Sequence, residues 1–285
     1  MTAQVRHQTP PRVIIRQVIG KILLYALMIF LTIITLGPFL MMISASLQNM
    51  TYLTFPFDFI PKEIFLNNYV ILFGQTLMGR WTFNSVVITV GTTGLQLITC
   101  SMAGYAFARG NFPGRDILFW IFMGTLMLPE TITVVPLFIL LAKLGWVNTY
   151  TGLILPHATT VFGVFLLRQY FLTIPRDYDD AVLMDGGSRW HIFWHVMLPL
   201  SKPALATLAT LTFLGTWNAF MYPLVMTTSG DMRPLTVGLA TMVVQRGQAG
   251  MQMAGAVVVF LPTFIFFMIM QRYVVQGISL TGLKG

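Results

Sequence analysis

Charge is scarce in this sequence. Only 9% of its 285 residues are charged, 17 Lys and Arg against 9 Asp and Glu, where an ordinary soluble domain carries about 25%. So few charges cannot solvate the surface of a globule this large, which excludes a disordered chain and a soluble enzyme of the usual type. Cysteine is almost missing. Cys100 stands alone in an apolar run, so no internal disulfide can form, and it reads as a small packing residue. Internal repeats and low-complexity segments are lacking, as are H-E-x-x-H and G-x-S-x-G, signatures of metalloproteases and of serine hydrolases. There is no polar domain to gather the basic residues. The net charge of +8 therefore does not make the clustered patch of a nucleic-acid-binding protein.

What abounds is apolar surface: 56% hydrophobic residues, 23 Phe, 9 Tyr and 6 Trp, and a mean hydropathy of +0.76. A helix needs about 20 apolar residues to cross a bilayer core. Uncharged runs of that length cover 22–57, 81–108, 144–167, 203–230 and 247–271, and Glu130 alone interrupts a sixth over 117–142. Lipid offers no partner for open backbone groups, so each run must be helical. The pattern predicts an all-α integral membrane protein with six transmembrane helices, centred on 20–44, 82–107, 117–141, 150–170, 204–226 and 254–275. A transmembrane domain over 19–275 then lies between tails 1–18 and 276–285. The first run follows Arg6, Arg12, Arg16 and Lys21, as a signal peptide would. Its apolar core exceeds the 7–15 residues, roughly, of a signal h-region, so it reads as a retained span.

Six spans put both termini on one side. That side holds Arg6, Arg12, Arg16, Lys21, Arg109, Arg115, Arg168, Arg176, Arg189, Lys202, Arg272 and Lys284. The other holds Lys62, Arg80, Lys143, Arg233 and Arg246. Twelve against five places both termini in the cytoplasm. On the outer side, the uncharged stretch 64–79 contains Asn67 and Asn68; too short to span, it predicts an interfacial helix. Residues 227–246 form a second outer loop.

The cytoplasmic loop 168–203 carries Asp177, Asp179, Asp180 and Asp185, four of the nine acidic residues. Its core, 173–200, reads as two short helices. Pro175 suits a first helical turn, and the aspartates after it suit the positive end of the helix dipole. Asp177, Asp180, Ala181 and Met184 recur at i, i+3, i+4 and i+7 and share a face. Gly186-Gly187 ends this helix, Ser188 can cap the next, and Pro199 terminates it after Trp190, Phe193 and Met197. Helices this short are marginal alone. They must pack either on the chain's own helix ends and the headgroup layer or on a cytoplasmic partner.

The segment Asp180-Ala181-Val182-Leu183-Met184-Asp185-Gly186-Gly187, followed by Leu198-Pro199, resembles the Glu-Ala-Ala…Gly loop of permease subunits of bacterial ABC importers. The wider chain resembles the maltose-type carbohydrate-uptake subfamily from about residue 22 onward. Asn84-Ser85, Ala103 to Arg109, Phe112 to Arg115, Trp217-Asn218, Pro223-Leu224-Val225 and Gly282 to Gly285 carry that likeness. Two positions depart from the motif. Asp180 replaces glutamate, with one methylene less reach, and Val182 replaces the second alanine, with more bulk. The resemblance implies a type I ABC importer permease fold and a non-catalytic subunit of an ATP-driven sugar importer in the bacterial inner membrane. The loop, with Asp177, Asp180, Ala181, Met184, Asp185, Gly186, Gly187, Phe193 and Pro199, would couple it to the ATPase. Implied partners are two cytoplasmic ATPase subunits, a second homologous permease and an extracytoplasmic substrate-binding protein. ATP and Mg belong to the ATPase subunits. This chain, with no G-x-x-x-x-G-K-[ST], implies no cofactor of its own.

Polar residues inside the runs are candidate pathway residues. Glu130, between Pro129 and Pro136, fits pathway lining, structural pairing or proton coupling. Trp217 and Asn218 fit either interhelical glue or sugar contact, with tryptophan as a stacking face. His157 reads as an interfacial residue. His191 and His195 have the i, i+4 spacing of a zinc pair, but no third ligand lies near in sequence. A self-contained secondary transporter is the alternative reading. It would usually show repeats and several coupling carboxylates, where only Glu130 is available.

Overall fold

A computed structural model describes the backbone over residues 11–53, 58–246 and 248–282, and side chains over 19–53, 58–129, 131–242 and 248–271. The described residues are mostly helical, with no strand. In chain order the helices are α1 (Pro11–Ser46), α2 (Asn67–Gln75), α3 (Met78–Arg109), α4 (Arg115–Gly124), α5 (Glu130–Lys143), α6 (Tyr150–Ile154) and α7 (Val161–Thr173). Then come α8 (Asp177–Met184), α9 (Arg189–Ile192), α10 (Leu198–Leu200), α11 (Lys202–Trp217), α12 (Met221–Met226), α13 (Leu235–Arg246) and α14 (Ala249–Gly282).

Three helices are long and apolar enough to cross a membrane unbroken: Ile19–Ser46 of α1, α3, and Ala249–Gln271 of α14. The other apolar segments are bent pairs: Arg115–Met127 with Thr131–Lys143 at 106°, Tyr150–His157 with Val161–Thr173 at 43°, and Arg189–Leu200 with Lys202–Trp217 at 76°. The breaks have local causes. Extended Pro129 precedes α5, and Pro156 sits in a tight 3₁₀ turn. Thr160 is extended and caps α7, its Oγ1 accepting from the Gly163 amide at 3.0 Å. A helix expected without interruption over 204–226 instead stops at Trp217 and resumes at Met221. Pro136 and Pro262 lie within helices that continue past them.

α3 is the centre of the packing. It lies against α7 over a core of Cys100, Ala108, Val164, Leu167 and Phe171, closed by Leu208 of α11. Glycine permits the approach. A Cβ on Gly104 would lie 3.0 Å from the Arg168 amide nitrogen and 3.1 Å from Leu167 Cβ, the close contact that small residues allow between spans. Gly104→Leu should therefore cost roughly 1–3 kcal/mol through overpacking, read as a lower thermal midpoint in detergent. An unchanged midpoint would contradict the contact.

The interfacial helix expected over 64–79 is represented by the nine residues of α2. Buried Asn68 pins it to the end of α1, donating to the carbonyls of Ser46 at 2.9 Å and Gln48 at 2.8 Å, while Val70 and Phe73 stay exposed. At that same end of the bundle, side chains of α3 grip the loop before α13. Trp81 Nε1 donates to the Gly230 carbonyl at 2.7 Å, and Asn84 Nδ2 to those of Asp231 at 2.7 Å and Arg233 at 2.9 Å. The Leu235 amide donates to Ser85 Oγ at 2.8 Å. Asn148, at φ 61°, accepts on Oδ1 from the Thr228 and Ser229 amides, each at 3.0 Å.

Candidate functional site

The loop after α7 folds as two linked helices. Three aspartates occupy the first turn of α8, where the dipole favours them. Gly186 takes φ +78°, the left-handed conformation that ends such a helix. Gly187 follows in close contact, since a Cβ there would lie 2.5 Å from Val182 Cγ1. The valine that replaces alanine in the motif thus packs on the glycine turn. Ser188 Oγ accepts from the His191 amide at 3.3 Å and caps α9.

The second helix departs from expectation at its end. Pro199 does not stop it; helical geometry continues to Leu200. A π turn over Phe193–Met197 intervenes, in which the Leu198 amide bonds to the Phe193 carbonyl. A wider turn relieves the clash between a proline ring and the preceding turn. Ser201 makes the break instead.

The two faces of this loop differ. Asp177, Asp180, Ala181, Met184, Asp185, Gly186 and Pro199 are exposed, and Met184 is 82% exposed. Asp179 and Val182 turn toward the bundle. Phe193, which the resemblance places among the coupling-loop residues, is 2% exposed. Its ring lies 5.3 Å from that of Tyr105 on α3, so it holds the loop down rather than presenting a surface. Asp179 Oδ2 lies 3.0 Å from Arg109 Nε. Burial raises the Asp179 carboxyl above its ordinary range, outweighing the opposing pull of Arg109. His191 and His195 stack with centroids 4.1 Å apart. Among the described residues no three potential metal ligands stand together.

A second feature is a cavity of about 470 Å³ between α3, α11, the α6–α7 bend and α12. Ser85, Thr89, Gln96, Thr212, Thr216 and Tyr222 supply its polar groups, and Phe162 and Phe220 line it with aromatic surface. Among the described residues that line it, none is Asp, Glu, Lys or Arg. Gln96 bridges the wall, donating to the His157 carbonyl at 2.8 Å and accepting from Thr212 Oγ1 at 2.7 Å. The Thr89 hydroxyl is buried without a protein partner. His157, read as interfacial, lines the cavity with its ring edge-on to Tyr222 at 4.4 Å.

Of the residues proposed for the pathway from sequence, Trp217 and Asn218 do not line this cavity. Trp217 is 2% exposed. Its Nε1 donates to the Val259 carbonyl of α14 at 3.0 Å, and its ring stacks on Phe213. Asn218 is exposed and bonds back to the Leu214 carbonyl at 2.8 Å as the cap of α11. Glu130 opens α5, and its side chain lies outside the described residues. The lining residues of α3 carry a signature in the sequence. Ser85, Thr89 and Gln96 recur at i, i+4 and i+11, with buried Thr92 at i+7 on the same helix face.

Comparison with known proteins bears on both features. A family model described as "Binding-protein-dependent transport system inner membrane component" matches residues 96–280. The chain is 39% identical over 263 residues to the arabinooligosaccharides transport system permease protein AraQ of Halalkalibacterium halodurans, covering 90% of this chain and 94% of that one. It is 35% identical over 276 residues to the trehalose/maltose transport system permease protein MalG of Thermococcus litoralis, covering 94% and 99%. Its fold matches a chain of a bacterial ABC transporter involved in the import of the acidic polysaccharide alginate, with a TM-score of 0.79 and 24% identity over 96% of this chain and 99% of that one. The exposed apolar helices make a multi-pass membrane protein, and with relatives of this kind along nearly its whole length, the chain belongs to the ABC transporter sugar permeases of the binding-protein-dependent inner membrane component family.

Proposed function

We propose that this chain is one of two permease subunits of an ATP-driven importer of neutral saccharides. The observation that carries the substrate class is the cavity, whose polar groups among the described residues are hydroxyls, an amide and an imidazole, with no carboxylate, ammonium or guanidinium among them. Such a wall can exchange hydrogen bonds with sugar hydroxyls, and Phe162 and Phe220 can face the apolar side of a sugar ring. A phosphate ester or uronate would enter without a counter-charge, at the cost of desolvation.

The remaining parts follow from the same reading. Both termini and the 173–200 loop are cytoplasmic, in keeping with the charge asymmetry. The six apolar segments act as six spans, three of them bent. The exposed face of α8 docks on one of two cytoplasmic ATPase subunits, which hold ATP and Mg. An extracytoplasmic binding protein delivers substrate at the end where α3 grips residues 230–235. α1, whose described apolar residues such as Ile22, Leu23 and Ile33 are exposed, faces lipid and the second permease. This chain contributes half of the pathway and no catalytic group.

Reconstitution of the complex in proteoliposomes tests this. Arabinotriose or maltotriose, bound to the partner binding protein, should be taken up with ATP at least tenfold faster than glycerol 3-phosphate or an alginate trisaccharide presented likewise. Equal or faster uptake of the anionic solutes would overturn the assignment of a neutral substrate.

A further inference from the structure

α3 has 32 residues and no proline, so at 1.5 Å per residue it is a rod about 48 Å long. Three sets of contacts lie along it. At one end Trp81, Asn84 and Ser85 hold residues 230–235. In the middle Thr89 and Gln96 line the cavity. At the other end the last turn holds both helices of the 173–200 loop. Tyr105 Oη donates to the Arg189 carbonyl at the start of α9, at 3.2 Å. Arg109 Nη2 donates to the Ile174 carbonyl just after α7, at 2.5 Å, and its Nε faces Asp179 in the first turn of α8.

The Arg109–Asp179 pair differs from the other attachments. Of the three ion pairs among the described residues it is the one withdrawn from solvent, with side chains 7% and 15% exposed. Of the loop's other anchors, Ile192, Phe193 and Met197 are apolar, and Tyr105 adds one neutral hydrogen bond to the Arg189 carbonyl. Apolar contact is non-directional and tolerates sliding. A buried ion pair fixes one geometry, because separating it strands a charge in a poorly solvated place. Asp179 Oδ1 and Arg109 Nε are both buried without a hydrogen-bond partner, so each depends on the opposite charge across the 3.0 Å Nε–Oδ2 contact.

We propose that Arg109, through Asp179, is the positioning residue that ties the ATPase-docking loop to α3, so that displacement of α8 reaches the cavity and the outer loop along this one helix. The inference rests on the function proposed above. It assigns the transmission to a particular pair and a particular span. Gln96 and Ser85 then move with the docking loop because they ride on the rod that Arg109 anchors.

The test uses the full complex in proteoliposomes, with the partner binding protein loaded with whichever of arabinotriose and maltotriose the wild type takes up. Asp179→Asn removes the charge, and the double variant Arg109→Met/Asp179→Leu replaces the pair with apolar side chains of similar bulk. Both should assemble with the ATPase in near wild-type yield, yet lose at least tenfold in binding-protein-stimulated ATP hydrolysis and in sugar moved per ATP. The exchange Arg109→Asp/Asp179→Arg should recover part of that loss. Wild-type stimulation per assembled complex, at normal or reduced yield, would make the pair merely structural and overturn the proposal. The variant Asp180→Lys on the exposed face separates the two levels. If it too couples normally, the docking role of the loop fails. If it loses coupling while the pair variants keep it, only the transmission through Arg109 fails.

Discussion

Asp180→Lys and Gly186→Trp should each abolish ATP-dependent uptake in proteoliposomes while leaving insertion and the pairing of permease subunits intact. The two act differently. Asp180 lies on the exposed face of α8 with Ala181 and Met184, where a cation of the ATPase can meet it. Reversing one desolvated charge contact at an interface costs about 2–5 kcal/mol, and each 1.4 kcal/mol, roughly, is tenfold in affinity. Less ATPase subunit should therefore co-purify, by tenfold or more. The local cost to α8 is smaller, since losing a carboxylate near the helix start removes only about 0.3–1 kcal/mol, and Asp180→Asn measures that part alone. At Gly186 there is room, with nothing within 4 Å of a built Cβ. The cost lies in the backbone, because φ +78° is unfavourable by roughly 1–2 kcal/mol for an L-residue. A chain that escapes this strain swings α8 relative to α9. Full uptake and normal ATPase recovery in both variants would show that the loop is not the docking element.

Trp217→Ala should destabilise the folded subunit by about 3–5 kcal/mol, the usual cost of emptying a buried aromatic site. The change removes a side chain packed among Leu72, Met78, Trp81, Leu235 and Met251. It also strips the Val259 carbonyl of its indole donor. Trp217→Phe keeps one aromatic ring but loses the hydrogen bond and the bulk of the second ring, so it should cost about 1–3 kcal/mol. Thermal unfolding in detergent ranks the two. Uptake per folded molecule should be unchanged in both, and so should the preference among sugars. A shift in sugar preference at normal abundance would place Trp217 on the pathway after all.

The contrast between these residues shows what kinds of information a sequence holds. α8 was legible because its signals are local. Three aspartates in a first turn, a glycine needing positive φ and a serine able to cap the next helix each act within a few residues, and the structure uses Asp177, Gly186 and Ser188 in those roles. The end of the second helix was misread, since proline usually stops a helix and a π turn upstream, which accommodates Pro199, leaves no simple local mark. Trp217 and Asn218 drew attention as polar-tipped residues in an apolar run. Which way a helix turns a given side chain depends on the neighbour it meets, and Trp217 meets α14.

Composition alone determined that the solvent is lipid, because 26 charges cannot cover 285 residues, and the apolar runs determined where helices must be, because unpaired backbone groups are intolerable in hydrocarbon. The loop motif carried the family. Tertiary structure decided which runs remain straight and which bend, since prolines and caps act only where packing lets the freed groups find partners. It also decided that the stripe from Ser85 to Gln96 faces a cavity, and that Arg109 meets Asp179 across 70 residues of chain. Those pairings belong to helices brought together at Gly104, where the absence of a side chain lets the α3 and α7 backbones approach, and at Gly163, which leaves room for the side chains of Cys100 and Leu208. A contact between residues distant in sequence is fixed by that approach and has no periodicity of its own to read.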